Sequence, residues 1–290
     1  MFIDNQFKTY YLKTPSGILN LNSPKIMGIL NTNNDSFYDG GKFNNLDKAL
    51  IQVDKMISEG VDIIDVGAQS TKPFSEEISS NEEIQLTCNL IYEIKKRFSS
   101  IFISIDTYKN TVADAAIQHG ADIINDISFG TFDEQILNVA KKHQVPFIGM
   151  HCPEKPKTMQ IQPSYNDVVS EVYHFLGKQL NHCYQLGIND VLIDPGFGFG
   201  KTVSHNYELL NNLNVFNELN APILVGLSRK SMLSKVLNIH TNESLNATSV
   251  ANTIALLQHV HILRVHDVKE AKECIDICKQ LLINKNQFTN

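Results

Sequence analysis

One unit recurs eight times along the chain. Each is a short run rich in Ile, Val and Leu, followed by a longer stretch with apolar residues at helical spacing. Nearly continuous apolar strands are what a parallel sheet covered on both faces requires. Eight such units in unbroken succession predict a closed (β/α)8 TIM barrel, an α/β fold, rather than an open sheet. The expected strands are 25–31, 62–68, 101–107, 122–128, 146–152, 190–196, 222–228 and 261–267. Helices are expected near 46–57, 81–98, 109–119, 133–143, 165–186, 205–219, 229–237 with 245–260, and 268–284. Gly60, Gly120 and Gly187 fall where helices should stop. Residues 1–21 read as an irregular or hairpin lead-in. No linker interrupts the pattern, so 1–290 is expected to be one domain.

Composition narrows the class. A net charge of −6 argues against a nucleic-acid or anionic-membrane surface, so any bound anion must be held by a few local cations. No uncharged apolar run is long enough to span a bilayer, and residues 1–11 lack the apolar region of a signal peptide. The five cysteines (88, 152, 183, 274, 278) form no CxxC pair and read as reduced thiols of a cytoplasmic protein. Cys274 and Cys278 share a helix face with Ala271, Ile275, Leu281 and Leu282, which reads as core packing rather than metal ligation.

In a barrel the C-terminal strand ends meet at one mouth. Here they carry Asn31; Asp65, Gln69, Ser70 and Thr71; Asp106 and Thr107; Asn125 and Asp126; His151; Asp194; Ser228 to Ser231; and Arg264, His266 and Asp267. The strand starts are mostly plain. The stretch from Val191 to Lys201 shows the change: an apolar run, a carboxylate at Asp194, then Pro195 and three glycines. It is also good turn chemistry, and it is not a P-loop. Asp106, Asn125 and Asp194 are polar groups in apolar strands and must find partners. Two carboxylates and an amide can grip the N–H and amino edges of a flat heterocycle. Arg264, His266 and Lys230 bring positive charge and donors suited to phosphate. The plainer reading pairs Arg264 and His266 with Asp267. Asp65 and Asp126, earlier in their strands, read as core groups bonded to a neighbouring loop. Asn31 can give one oxygen to a Mg²⁺ shared with a diphosphate. No Cys/His cluster suggests zinc.

Taken together, these stretches resemble the dihydropteroate synthase family. The matching segments are Met27-Gly28-Ile29-Leu30-Asn31 with Asp35-Ser36-Phe37 and Asp39-Gly40-Gly41; Ile64-Asp65-Val66-Gly67 with Ser70-Thr71; Ser104-Ile105-Asp106-Thr107; Ile124-Asn125-Asp126; Met150-His151 with Pro156-Lys157-Thr158-Met159; Asp194 to Lys201; Ser228-Arg229-Lys230-Ser231; and Arg264-Val265-His266-Asp267. They run from first strand to last in family order. The resemblance implies condensation of (7,8-dihydropterin-6-yl)methyl diphosphate with 4-aminobenzoate, assisted by Mg²⁺, to give dihydropteroate and diphosphate by an SN1-like path. It implies that Asp106, Asn125, Asp194 and Lys230 hold the pterin and that Asn31 meets the metal. Thr71, Arg264 and His266 would surround the diphosphate and aminobenzoate. Ser231, Phe199 and Pro73 would line the aminobenzoate pocket. Asp35, Phe37 and Asp39 would ride on a mobile first loop that closes over the reacting carbon. A homodimer is also implied.

The chain departs from the family pattern in three places. The first loop, usually Asn-Val-Thr-Pro-Asp-Ser-Phe, is Asn31-Thr32-Asn33-Asn34-Asp35-Ser36-Phe37. The second, usually Glu-Ser-Thr-Arg-Pro-Gly, is Gln69-Ser70-Thr71-Lys72-Pro73-Phe74. The resemblance puts this loop beside the aminobenzoate pocket, so the ring of Phe74 either excludes the bulky group of sulfonamides, or points to solvent, or packs under the first loop. Before the penultimate helix, Ser/Thr-Gly-Ser-Leu is replaced by Asn246-Ala247-Thr248-Ser249. A pterin-binding methyltransferase would share the barrel but lack the Ser228–Ser231 and Arg264–His266 pairing. A catalytically silent homologue would lose a mouth residue, and only an arginine is replaced, by Lys72. A Mg²⁺-dependent aldolase would want a Schiff-base lysine or a fuller carboxylate set, which is not evident.

Overall fold

In the computed structural model, which describes residues 7–32, 41–70 and 75–285, the apolar runs become strands and the amphipathic stretches become helices. The lead-in is a hairpin, β1 (Tyr11–Thr14) and β2 (Gly17–Asn20), paired antiparallel. Then come β3 (Lys25–Asn31), α1 (Gly41–Ser58), β4 (Ile63–Gly67), α2 (Ser80–Arg97), β5 (Phe102–Asp106), α3 (Asn110–Gln118), β6 (Ile123–Asp126) and α4 (Gln135–His143). The second half has β7 (Phe147–Met150), α5 (Val168–Leu186), β8 (Val191–Asp194), α6 (Val203–Asn211), β9 (Leu224–Val225), α7 (Ser231–Leu237), α8 (Leu245–Leu257), β10 (Ile262–Val265) and α9 (Val268–Lys285). Strands β3 to β10 form one parallel sheet in the order β8-β7-β6-β5-β4-β3-β10-β9. The ring closes where Ile193 bridges Ile223 and its N–H donates to Pro222 O at 3.0 Å.

Two elements differ from expectation. The seventh barrel strand keeps only Leu224–Val225 in its regular ladder, because the residues before it close the ring. The helix expected over 205–219 breaks after Asn211 into a 3-10 turn, Leu213–Leu219. Asn211, Asn212, Asn214 and Asn217 all fall there, and asparagine side chains compete with the backbone for hydrogen bonds. Gly60, Gly120 and Gly187 end their helices in the left-handed region, as expected from the sequence.

Side chains alternate across a strand, so one set points into the barrel and the other out to the helices. At the bottom the inward set is Met27, Ile63, Ile123, Ile148, Leu192, Leu224 and Ile262, one cluster with Leu12, Leu19 and Leu21 of the lead-in. The hairpin is therefore an apolar plug. Carboxylates at strand starts fasten it: Asp190 accepts from Lys13 N at 3.0 Å, and Asp122 from Ser16 N at 3.2 Å. Asp122 also binds Ile103 N and Lys95, and Asp62 takes Ile26 N and Lys25, so these starts are less plain than the sequence suggests. All five cysteines are free and buried. Cys274 and Cys278 do pack in the core, but Leu281, expected beside them, is exposed.

Outward-facing Gly149 of β7 shows how tightly the helical layer closes. A methyl group there would run into the ring of Phe129, which is fully buried and held at φ 53°. Gly149→Ala should lower the free energy of unfolding by about 1–3 kcal/mol in urea titration, with an unchanged m-value.

Candidate active site

Above the plug the inward positions turn polar. Two residues up from Ile63 is Asp65, and from Ile123, Asn125; Asp194 follows Leu192, and Arg264 follows Ile262. On β5 the same alternation sets Asp106 above Ser104. Gly67 pairs with Asp106 across the ladder, and a Cβ on it would sit 3.2 Å from Asp106 Cβ, so the glycine leaves room for the carboxylate.

The centre is an ion pair across the barrel. Arg264 Nε donates to Asp65 Oδ2 at 2.6 Å and Nη2 donates to Asp106 Oδ2 at 2.6 Å. Asp65 also accepts from Asn125 Nδ2 at 3.2 Å. Burial pushes the Asp106 carboxyl up to about 7, although Arg264 pulls the other way. Burial likewise pushes Asp194 up to about 6, against the pull of the Gly196 N–H, which donates to its Oδ1 at 2.7 Å. Lys230 is pushed down to about 8 by burial and by Arg264, and remains a cation at neutral pH. Its Nζ stands 4.2 Å from the centre of the Phe199 ring, a cation–π contact.

These groups line one cavity. Asp106, Asn125, Asp194, Lys230 and Arg264 supply its polar atoms. Ile127, Met150, Phe197 and Phe199 supply apolar walls, and Gly226 leaves space where a side chain would stand. A flat molecule with hydrogen-bonding edges fits such a slot. At the rim, Ser228 Oγ meets both His266 N at 3.2 Å and His266 Nδ1 at 3.0 Å. The His266 ring is held down at about 4 by desolvation, then by the Arg264 and Arg229 guanidiniums. Arg229 clamps Asp267 at 3.0 and 2.6 Å, and its N–H, in a left-handed residue, donates to Thr248 Oγ1 at 3.1 Å.

The pattern of the family described as "Pterin binding enzyme" matches residues 27–266. Escherichia coli (strain K12) dihydropteroate synthase is 43% identical over 269 residues, 92% of this chain and 95% of that one. A Yersinia pestis dihydropteroate synthase solved with a sulfonamide drug superposes with a TM-score of 0.88 at 38% identity, covering 94% of this chain and 99% of that one. A Xanthomonas albilineans dihydropteroate synthase solved with 7,8-dihydropteroate gives 0.85 at 31% identity, with 94% and 99% covered. The chain belongs to the dihydropteroate synthase family.

Within that family frame, the structure gathers Asp106, Asn125, Asp194, Phe199, Lys230 and Arg264 around one cavity. Asn31 and Ser231 lie exposed, at the end of β3 and the start of α7. Asp35, Phe37, Asp39, Thr71, Lys72, Pro73 and Phe74 lie outside the described residues. One reading is corrected and one plainer alternative is excluded. Asp65 is not bonded to a loop; it points inward and anchors Arg264 and Asn125. Asp267 takes Arg229 rather than Arg264 or His266. Burial and the neighbouring guanidiniums lower the His266 ring, so among the described residues that line the cavity the positive charge is carried by Arg264 and Lys230. Asp126, one residue after Asn125 and so on the opposite face, does hold a loop, accepting from Ser128 N and Gly130 N.

Two departures from the family pattern acquire local roles. Gln69 Nε2 donates to Ser70 O and Glu76 O, both at 3.0 Å, while its Oε1 accepts from Ile78 N at 2.9 Å. An ionised carboxylate there could not donate. Buried Thr248 supplies the acceptor for Arg229.

Removing one member of a buried ion pair leaves the other uncompensated. Asp65→Ala should therefore cost about 3 kcal/mol of stability and loosen Arg264; chemical denaturation measures the first.

Proposed function

We propose that this chain condenses (7,8-dihydropterin-6-yl)methyl diphosphate with 4-aminobenzoate, forming 7,8-dihydropteroate and releasing diphosphate. The observation that carries this reading is the one cavity that joins two carboxylates, an amide, a lysine and an arginine to apolar walls. Relatives of this chain bear the name dihydropteroate synthase, and one neighbour was solved with the product named here.

The pterin ring enters the cavity, with Asp194 and the free oxygen of Asp106 accepting from its N–H and amino edge. Asn125 and Lys230 complete the contacts. Phe197 and Phe199 give the ring flat apolar surface. The diphosphate lies at the rim, where Arg264 keeps N–H groups not used by Asp65 and Asp106, and where His266 offers a neutral N–H. Negative charge grows on the diphosphate as the carbon–oxygen bond breaks, and these donors stabilise it. The aromatic amine then attacks the methylene carbon, which the pterin ring has stabilised as a cation, and loses its proton. Thr71, Pro73 and Ser231 belong with the aminobenzoate in this reading, and Asp35 and Asp39 with closure over the reacting carbon.

Among the described residues no group of three or more His, Cys, Asp or Glu is placed to hold a metal. One exposed amide, Asn31, fits Mg²⁺, which takes few protein ligands along with water and phosphate oxygens. Bound there, Mg²⁺ would neutralise charge on the diphosphate. A cytoplasmic location goes with the five free thiols. None of the described helices is long and apolar enough to cross a membrane. A homodimer goes with the apolar face of α8 and α9, where Val250, Ile254, Leu257 and Ile277 are exposed on adjacent helices.

Two measurements test the function. Diphosphate release should require both substrates, and release without aminobenzoate would point to hydrolysis instead. Binding should also follow Asp194. A carboxyl raised to about 6 is ionised above that pH and accepts from the pterin N–H groups. Below it the group is protonated and one acceptor site becomes a donor. Affinity should fall as pH drops through about 6. Asp194→Asn should weaken binding about tenfold or more and remove the part of that dependence centred near 6, leaving any part due to Asp106, as read by calorimetry.

A further inference from the structure

The turn after β8 wraps around one ammonium group. Lys201 Nζ donates to His151 Nδ1 at 2.9 Å, to Gly196 O at 2.9 Å and to Phe199 O at 3.0 Å. An ammonium has three hydrogens, and each has an acceptor. The residue is only 4% exposed, so these acceptors come from the protein itself. The imidazole facing it is neutral: burial, then Lys201 itself, pushes His151 down to about 2. Desolvation draws Lys201 down as well, to about 7, whereas hydrogen bonds from its ammonium to three acceptors favour the charged form.

The backbone is shaped to reach this centre. Gly196, Gly198 and Gly200 are all left-handed, at φ 74°, 81° and 57°. A side chain at Gly196 would run into His151 O, so carbonyl and turn close on each other only because residue 196 is glycine. Two carbonyls and a ring nitrogen aimed at one point repel one another unless a cation sits there.

The same turn carries the cavity wall. Gly196 N–H orients the Asp194 carboxylate, and Phe197 and Phe199 line the slot. Gly198 lies against the Lys230 stem, where an added Cβ would be 3.1 Å from Cδ. Its own N–H and C=O are tied to Asn206 and Gln160. We propose that Lys201 is a positioning residue, a built-in cation around which the 195–200 turn is folded so that Asp194, Phe197 and Phe199 present one surface to the pterin. This gives a role to the lysine that ends the glycine-rich stretch, which is neither a phosphate loop nor a substrate contact. The proposal rests on the reading that the cavity takes a pterin.

The test measures binding of (7,8-dihydropterin-6-yl)methyl diphosphate by calorimetry, with thermal melts as a fold check. Lys201→Met keeps the stem and removes the charge; Lys201→Ala removes both. The Ala variant is repeated with n-propylammonium, which carries the excised atoms, and with n-propanol, which has a similar size and no charge. Both variants should bind about tenfold or more weakly while melting cooperatively, and propylammonium should recover affinity where propanol does not. Wild-type protein that fails to bind would end the pterin reading and this proposal with it. Wild-type binding with Lys201→Met within about twofold would end the Lys201 proposal alone. Equal recovery by propanol would show that the stem, and not the cation, holds the turn. Loss of a cooperative melt in both variants would make Lys201 a general determinant of folding and overturn its specific role.

Discussion

A guanidinium inside a ring of apolar strands is tolerable only beside carboxylates, and two carboxylates can share that space only with a cation between them. Arg264, Asp65 and Asp106 meet both demands at once, with 2.6 Å bonds from β10 to β4 and β5. Much of the site depends on this arrangement. Gly67 is small because Asp106 must fit beside it. Asn125 turns its amide toward Asp65. Lys230 and His266 are both held less basic by the Arg264 charge in addition to their own desolvation. The pair also leaves part of each group unused, one Asp106 oxygen and several Arg264 N–H groups, which are what a ligand needs.

The barrel separates stability from chemistry along its axis. Its lower inward residues form an apolar cluster that is sealed by Leu12, Leu19 and Leu21. Strand-start carboxylates Asp62, Asp122 and Asp190 face outward or down and fasten backbone N–H groups. The upper layer reverses the pattern, with polar groups inside and packing outside. Polar groups there are desolvated without being at the bottom of a closed core, which is why burial raises the Asp106 and Asp194 carboxyls above the usual carboxylate range.

Much of this is legible in the amino-acid sequence. The eight apolar runs, the helix-ending glycines and the clustering of Asp106, Asn125, Asp194, Lys230 and Arg264 at strand ends all follow from local patterns. Asp65 is easily misread, because its depth in the strand suggests a core group. Counting by two from Ile63 places it on the inward face, whereas Asp126 falls on the outward one, so the period holds the answer for both. Lys201 escapes sequence reasoning for a different reason. His151, which offers both its ring nitrogen and its carbonyl, lies 50 residues away, and the other acceptors are the backbone carbonyls of Gly196 and Phe199, which have no sequence signature.

The sequence by itself determined the architecture and the membership of the mouth, because alternation and apolar run length act within a few residues of each position. The tertiary structure decided which charges meet. Arg264 lies 199 residues from Asp65 and 158 from Asp106, and only ring closure brings β10 beside β3 and across from β4 and β5. It also decided protonation. Whether His266 is a cation, or Asp194 an acid, depends on desolvation and on neighbours from other strands, and these exist only once the barrel has closed.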